Sequence, residues 1–181
     1  VAEQIEKNPR LQVVQDVSAK QKFLHWELEF ADVFAKKGGF DLILGNPPWL
    51  KVEWEEKGIM GEVNPLFDIR KFTANNLNLL REETLENYPN LLNEYINEYE
   101  SASATQNFLG SNSNYALLDG KANLYKCFLP LGWNIANTKG ICGFLHPEGV
   151  YDDPKGGPLR SEIYKRLKYH FQFANGLFLF Q

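Results

Sequence analysis

The chain has 181 residues, 44% of them hydrophobic and 23% charged, with four Trp, eight Tyr and thirteen Phe, which excludes a disordered or fibrous chain and suits one ordinary core. The formal net charge of −4 excludes a strongly basic, self-sufficient nucleic-acid clamp, but not a nucleic-acid enzyme whose basic surface lies elsewhere. Cys127 and Cys142 lack metal-ligand neighbours and fit a reduced, cytoplasmic protein, and apolar runs as short as 177–180 exclude a membrane span or signal peptide.

In chain order, residues 2–8 read as a short helix ended by Pro9. Over 23–30, Trp26, Leu28 and Phe30 alternate with His25, Glu27 and Glu29, the period of a half-buried edge strand or extended arm. Gly38 and Gly39 introduce the apolar run 40–45, a buried strand that runs straight into Asn46-Pro47-Pro48-Trp49. Five basic and eleven acidic residues then give 51–110 a net charge of −6 and leave +2 for the remainder. Within that acidic segment Leu77, Leu80 and Leu85, then Leu91, Leu92, Tyr95, Ile96 and Tyr99, recur at helical spacing on either side of Pro89. The pattern predicts a helical hairpin or lid inserted over about 51–114, with the Ser- and Asn-rich stretch 101–114 as a loop.

Leu124, Phe128, Leu131 and Ile135 form the apolar face of a further helix, kinked at Pro130. A second buried strand over 140–145 runs into His146-Pro147-Glu148, and 152–158 is turn chemistry throughout. The next helix is expected to bury Leu159, Ile163, Leu167 and Phe171 and to expose a basic face of Arg160, Lys165 and Lys168, before a last strand over 176–180. Alternation of apolar strands with amphipathic helices predicts an α/β layered sheet, mostly parallel, and in such sheets ligands bind beyond the carboxyl ends of strands. The loops 46–49 and 146–149 are then the candidate site, on one rim of the sheet.

Asn46-Pro47-Pro48-Trp49 carries the chemistry. The residue before a proline is pushed into the extended region and each proline fixes its own φ, so the loop is stiff. It offers the Asn46 side-chain oxygen and the Pro47 carbonyl as convergent acceptors beside the flat apolar face of Trp49. A planar ligand bearing an NH2 group is the complement. A plain structural turn, and for Trp49 simple core packing, are the competing readings.

The sequence Gly45-Asn46-Pro47-Pro48-Trp49 after an apolar strand resembles the catalytic motif of the N6-adenine DNA methyltransferases that use S-adenosylmethionine. His25-Trp26-Glu27-Leu28-Glu29-Phe30, Gly39-Phe40-Asp41, Asn123-Leu124-Tyr125 with Phe128, and Pro158-Leu159-Arg160 make most of the chain resemble the large type IIG restriction-modification methylases. The resemblance implies a partial, Rossmann-like class I methyltransferase sheet, acting on double-stranded DNA with S-adenosylmethionine as cofactor. Asn46, Pro47, Pro48 and Trp49 would be catalytic, the flipped adenine stacking on Trp49, with Phe178 or Phe180 as a second aromatic across the base. The family's glycine-rich cofactor loop precedes the catalytic motif and is not found before Phe40, so the chain, opening on Val1, reads as the catalytic-motif half of a longer protein. The cofactor-binding residues are expected upstream of Val1, nuclease and target-recognition domains elsewhere in the parent, and the isolated piece is expected to be inactive. Related motifs methylate RNA or protein glutamine, and a non-catalytic docking piece on a methylase scaffold is the third reading. His146 and Glu148 read as pocket lining, His25 and His170 as surface or capping histidines, and Cys127 and Cys142 as small buried hydrophobes. Neither cysteine follows a proline, which excludes the Pro-Cys nucleophile of cytosine C5 methylation.

Overall fold

The computed structural model describes residues 7–118, 123–174 and 176. The described residues form an α/β structure, mostly helical, with nine α-helices and a two-stranded parallel sheet. They fall into two compact units: one holds the chain up to Gly45 together with Leu131–Gly143, the other Asn46–Pro130 with the chain from Phe144 onward.

The first unit opens with α1, Pro9–Gln21. Pro9 opens this helix: a proline needs no backbone N–H in the first turn, and Asn8 caps it by accepting the Arg10 N–H at 3.1 Å. Of the short helix expected over 2–8, residues 2–6 lie outside the described residues and Lys7 is helical. The expected edge strand over 23–30 is replaced by helix, α2 at Trp26–Glu29 followed by α3 at Ala31–Lys37. Trp26, Phe30 and Phe34 stand four residues apart, a helical interval that overrides the two-residue alternation. The Trp26 and Phe30 rings stack at 5.8 Å, and Trp26, Phe30 and Phe34 all meet the edge or face of Phe40 within 5.9 Å.

Phe40 begins β1, Phe40–Gly45, whose sheet neighbour is β2, Ala136–Phe144. Gly39 lets the chain enter the sheet: its φ is 141°, and a Cβ there would lie 2.5 Å from the Ile135 carbonyl oxygen. Asp41 accepts from the Asn137 amide and from Lys37, each at 2.6 Å, and ties the two strands to α3. The strands are not buried as the apolar runs imply. Leu42 and Leu44 on β1 and Ile141 on β2 are exposed, because a two-stranded sheet has little to cover its faces among the described residues.

The second unit is built on helices. They are α4 at Glu56–Val63, α5 at Leu66–Ile69, α6 at Ala74–Asn87 and α7 at Leu91–Leu109. Met60, Phe67 and Leu91 form its core, packed by Leu77, Leu80, Leu85 and Tyr95, while Leu92, Ile96 and Tyr99 of the same predicted stripe are exposed. Thr84 is buried beside them, donating to the Leu80 carbonyl at 2.7 Å and accepting from the Asn64 amide at 2.9 Å. The loop expected over 101–114 is helical as far as Leu109: Ala102 and Ala104 favour helix, and the Gln106 amide is satisfied by donating to the Val52 carbonyl at 2.7 Å.

Downstream, α8 runs from Leu124 to Ile135 with Pro130 inside it. Its most buried side chains are Tyr125, Cys127 and Leu129, not the expected face, on which Phe128 is exposed. A single 3₁₀ turn at Glu148–Val150 leads to α9 at Gly157–Arg166. Leu159 and Ile163 are buried there as expected, but α9 stops at Arg166, so Leu167 and Phe171 are exposed and Lys168 lies outside the helix. The last strand expected over 176–180, with Phe178 and Phe180, lies outside the described residues apart from Gly176, which is in a turn. No helix among the described residues is long and apolar enough to cross a membrane.

The core at Met60, Phe67 and Leu91 sets a stability test. Phe67→Ala should destabilise the chain by about 3–5 kcal/mol through the cavity it leaves, whereas Leu28→Ala, on an exposed site, should stay within about 0.5 kcal/mol, both read by urea unfolding.

Candidate functional site

The stiff Asn46-Pro47-Pro48-Trp49 loop directly follows β1, and the His146-Pro147 loop follows β2 by one residue. All peptide bonds in the loop are trans. Pro47 is buried and anchors the loop; Asn46, Pro48 and Trp49 are exposed. Among the described residues the Asn46 side chain meets no hydrogen-bond partner, so its oxygen remains open to an amine. Trp49 is 52% exposed, and its indole Nε1–H donates to the Leu145 carbonyl at 3.3 Å. This bond joins the loop after β1 to the loop after β2, and Trp49 remains half-exposed.

The segment that continues from Trp49 is held at several points. Leu124 N–H donates to the Leu50 carbonyl at 2.8 Å, and Lys51 and Asn123 form an antiparallel bridge. Farther on, Trp54 meets the edges of Tyr95 and Tyr99 at 5.1 and 5.4 Å. Tyr95 Oη also donates to Glu56 at 3.0 Å, and Arg81 binds the same carboxylate through Nε and Nη2. Burial pushes the Glu56 carboxyl up, but the bonds from Arg81 and Tyr95 outweigh it and hold the group below the usual carboxylate range.

On the other loop, the His146 ring lies parallel to Tyr125, 5.6 Å apart at 3°, and 6.0 Å from Tyr151. Its Nδ1 donates to the Pro147 carbonyl at 2.8 Å. Tyr125 is 3% exposed, and burial, helped by the charges of Asp153 and Asp152, pushes its phenol up to about 12, so it stays protonated. His170 is exposed and packs at 4.7 Å on Tyr151; His25 is an exposed residue at the start of α2. Cys127 is buried and its thiol is pushed up to about 11, which makes it inert, and Cys142 is partly buried.

The expected basic face of α9 is largely committed to local bonds. Arg160 donates to the Asp153 carbonyl, and Lys165 pairs with Glu162 at 2.5 Å. Asp153 takes an ion pair from Lys126 of α8 and a backbone bond from Lys155. No cluster of metal-ligating side chains occurs among the described residues.

Of the expected site residues, Asn46, Pro47, Pro48 and Trp49 stand together, while Phe178 and Phe180 lie outside the described residues. The sequence already sets the 146–149 loop, with His146, beside the 46–49 loop; Leu145 and Tyr125 are the neighbours it does not join to Trp49. Their separation along the chain hides the contact; the one signal was the parallel-strand rule that brings successive carboxyl-end loops together.

The chain matches the Eco57I restriction-modification methylase family over residues 2–177. Among curated proteins, and among solved structures, nothing matches it.

The Lys126–Asp153 contact gives a pH test. The hydrogen bond from Lys126 is the largest of the effects that hold the Asp153 carboxyl below its ordinary value. Such a group adds stability above its unfolded pKa of about 3.9, and that stability is lost as pH falls through the lower folded value. Asp153→Asn should therefore lower the urea midpoint at pH 7 and narrow its difference from the wild type below about pH 3.9; a constant difference down to acid would contradict the pairing.

Proposed function

Because the chain belongs to the Eco57I restriction-modification methylase family, we propose that it supplies the amine-binding loop of a DNA methyltransferase that methylates the N6 amine of a flipped adenine. Family membership implies a DNA methyltransferase of a restriction-modification system. The choice of adenine rests on the loop. Its carrying observation is an exposed Asn46 oxygen beside a half-exposed Trp49 whose polar edge is already bonded to Leu145.

An exocyclic amine is a poor nucleophile because its lone pair is conjugated with the ring. In this reading Asn46 Oδ1 and the Pro47 carbonyl accept the two N6 hydrogens, which favours a pyramidal nitrogen with its lone pair out of the ring plane. Trp49 stacks on the base and holds the plane. Two prolines keep both acceptors in place before the base arrives, so little is lost to reorganisation. After transfer the nitrogen sheds one proton, and amide oxygens are too weakly basic to keep it, so it passes to water. No covalent bond to the chain forms.

S-adenosylmethionine supplies an electrophilic methyl group when bound. The residues here fit the amine end of that reaction. Residues ahead of β1 form α1, α2 and α3, and the described ones contain no strand and glycine-rich turn of the kind that holds an adenosyl group. In this reading the chain contributes the amine end of the pocket, and none of its described residues is assigned to the cofactor. Titration of the 181-residue chain with S-adenosylmethionine in a calorimeter should give no resolvable heat; micromolar binding would contradict this division of the pocket.

The reading is tested by methyl transfer from labelled S-adenosylmethionine to double-stranded DNA, RNA and protein by the full-length protein. Label is expected in DNA, and Asn46→Ala should lower the rate by about 10²–10³, the scale for removing one preorganised hydrogen-bonding group. Unchanged transfer in Asn46→Ala, or label confined to RNA or protein, would contradict it.

A further inference from the structure

We propose that the Trp49 indole is held by a closed ring of contacts through residues 49–50, 124–125 and 145–146, in which His146 is a positioning residue through its stack on Tyr125. The proposal rests on the reading of Trp49 as the face that receives the base, and deepens it.

The ring can be followed link by link. Trp49 Nε1–H donates to the Leu145 carbonyl at 3.3 Å. Leu145 is joined to His146, whose ring lies flat on Tyr125 at 5.6 Å and 3°. Tyr125 adjoins Leu124, whose N–H donates to the Leu50 carbonyl at 2.8 Å, and Leu50 adjoins Trp49. The Lys51–Asn123 bridge doubles the last link. Tyr125 is 3% exposed, so the ring is rooted in packed structure on one side while Trp49 remains half-open on the other.

One peptide plane carries the restraint. The Leu145 carbonyl belongs to the planar unit that ends at the His146 Cα, so fixing His146 fixes the direction of that oxygen. His146 is fixed twice: by the ring stack, and by Nδ1, which must carry its hydrogen because the Pro147 carbonyl can only accept. An indole has a single polar atom and it is a donor. Once that atom is bonded to a fixed oxygen, rotation of the ring about its stem is blocked. An aromatic side chain without this donor cannot close the ring, which gives a reason for Trp at this position.

The test is the indole region of the ¹H–¹⁵N spectrum of the chain, which holds four signals, from Trp26, Trp49, Trp54 and Trp133. Trp49→Phe identifies its signal. His146→Ala is expected to shift the Trp49 signal and speed its hydrogen exchange by about tenfold or more, while leaving the other three in place. His146→Phe, which keeps a flat ring against Tyr125, is expected to restore it. An unmoved Trp49 signal in His146→Ala, or failure of His146→Phe to restore it, would overturn the proposal. Should His146→Ala unfold the chain and move all four signals, the reciprocal measurement decides: Trp49→Phe must shift the His146 ring signals, and unshifted ones overturn the proposal. Full methyl transfer by a Trp49→Ala full-length protein would instead sink the base-stacking reading and leave this ring intact.

Discussion

The hydrogen bond from the Trp49 indole to the Leu145 carbonyl is the constraint on which the candidate site depends. It joins two loops that are separated along the chain by α4 to α8 and β2. Parallel neighbouring strands require a long crossover, and here α4 to α8 occupy it, so the loops that follow β1 and β2 come from distant stretches yet leave their strands in the same direction. A net contribution of about 1 kcal/mol for one neutral hydrogen bond is small. Its effect is geometric: it converts a mobile aromatic side chain into a fixed surface.

The stiffness of the site is divided between covalent and packed sources. Pro47 and Pro48 restrict the backbone on which Asn46 sits, without help from the rest of the fold. Beyond Trp49 the restraint is tertiary: Leu50 to Leu124, Lys51 to Asn123, Val52 to Gln106, and Trp54 between Tyr95 and Tyr99. The acidic character of 51–110 is partly absorbed by this packing, since Glu56 is taken up by Arg81 and Tyr95. The helices after the loop therefore act as a backing to the site as well as a core of their own around Met60, Phe67 and Leu91.

Much of this was legible in the amino-acid order, because the informative features are local. The β1 strand and its diproline loop, the pair of helices divided at Pro89, the helix containing Pro130 and the strand before His146 each follow from a run of a few residues. Misreadings came where two local signals compete. At 23–30 the alternation of polar and apolar residues suggested a strand, but the four-residue spacing of Trp26, Phe30 and Phe34 lets their rings gather on Phe40 as a helix. At 101–109 polar composition suggested a loop, while the bond from Gln106 to Val52, a long-range contact, holds it helical. The candidate residues themselves were readable from the motif; their anchoring through Leu145, His146 and Tyr125 was not, since no local pattern records a contact across such distances.

In the proposed function an oxygen-bearing, indole-backed loop receives the amine of adenine. Nucleoside mass spectrometry of DNA from cells that lack other adenine methylases and express the full-length protein tests it most directly. The account predicts N6-methyladenine with the wild type and its loss with Trp49→Ala. N4-methylcytosine in its place, or N6-methyladenine that persists undiminished without the Trp49 indole, would contradict it.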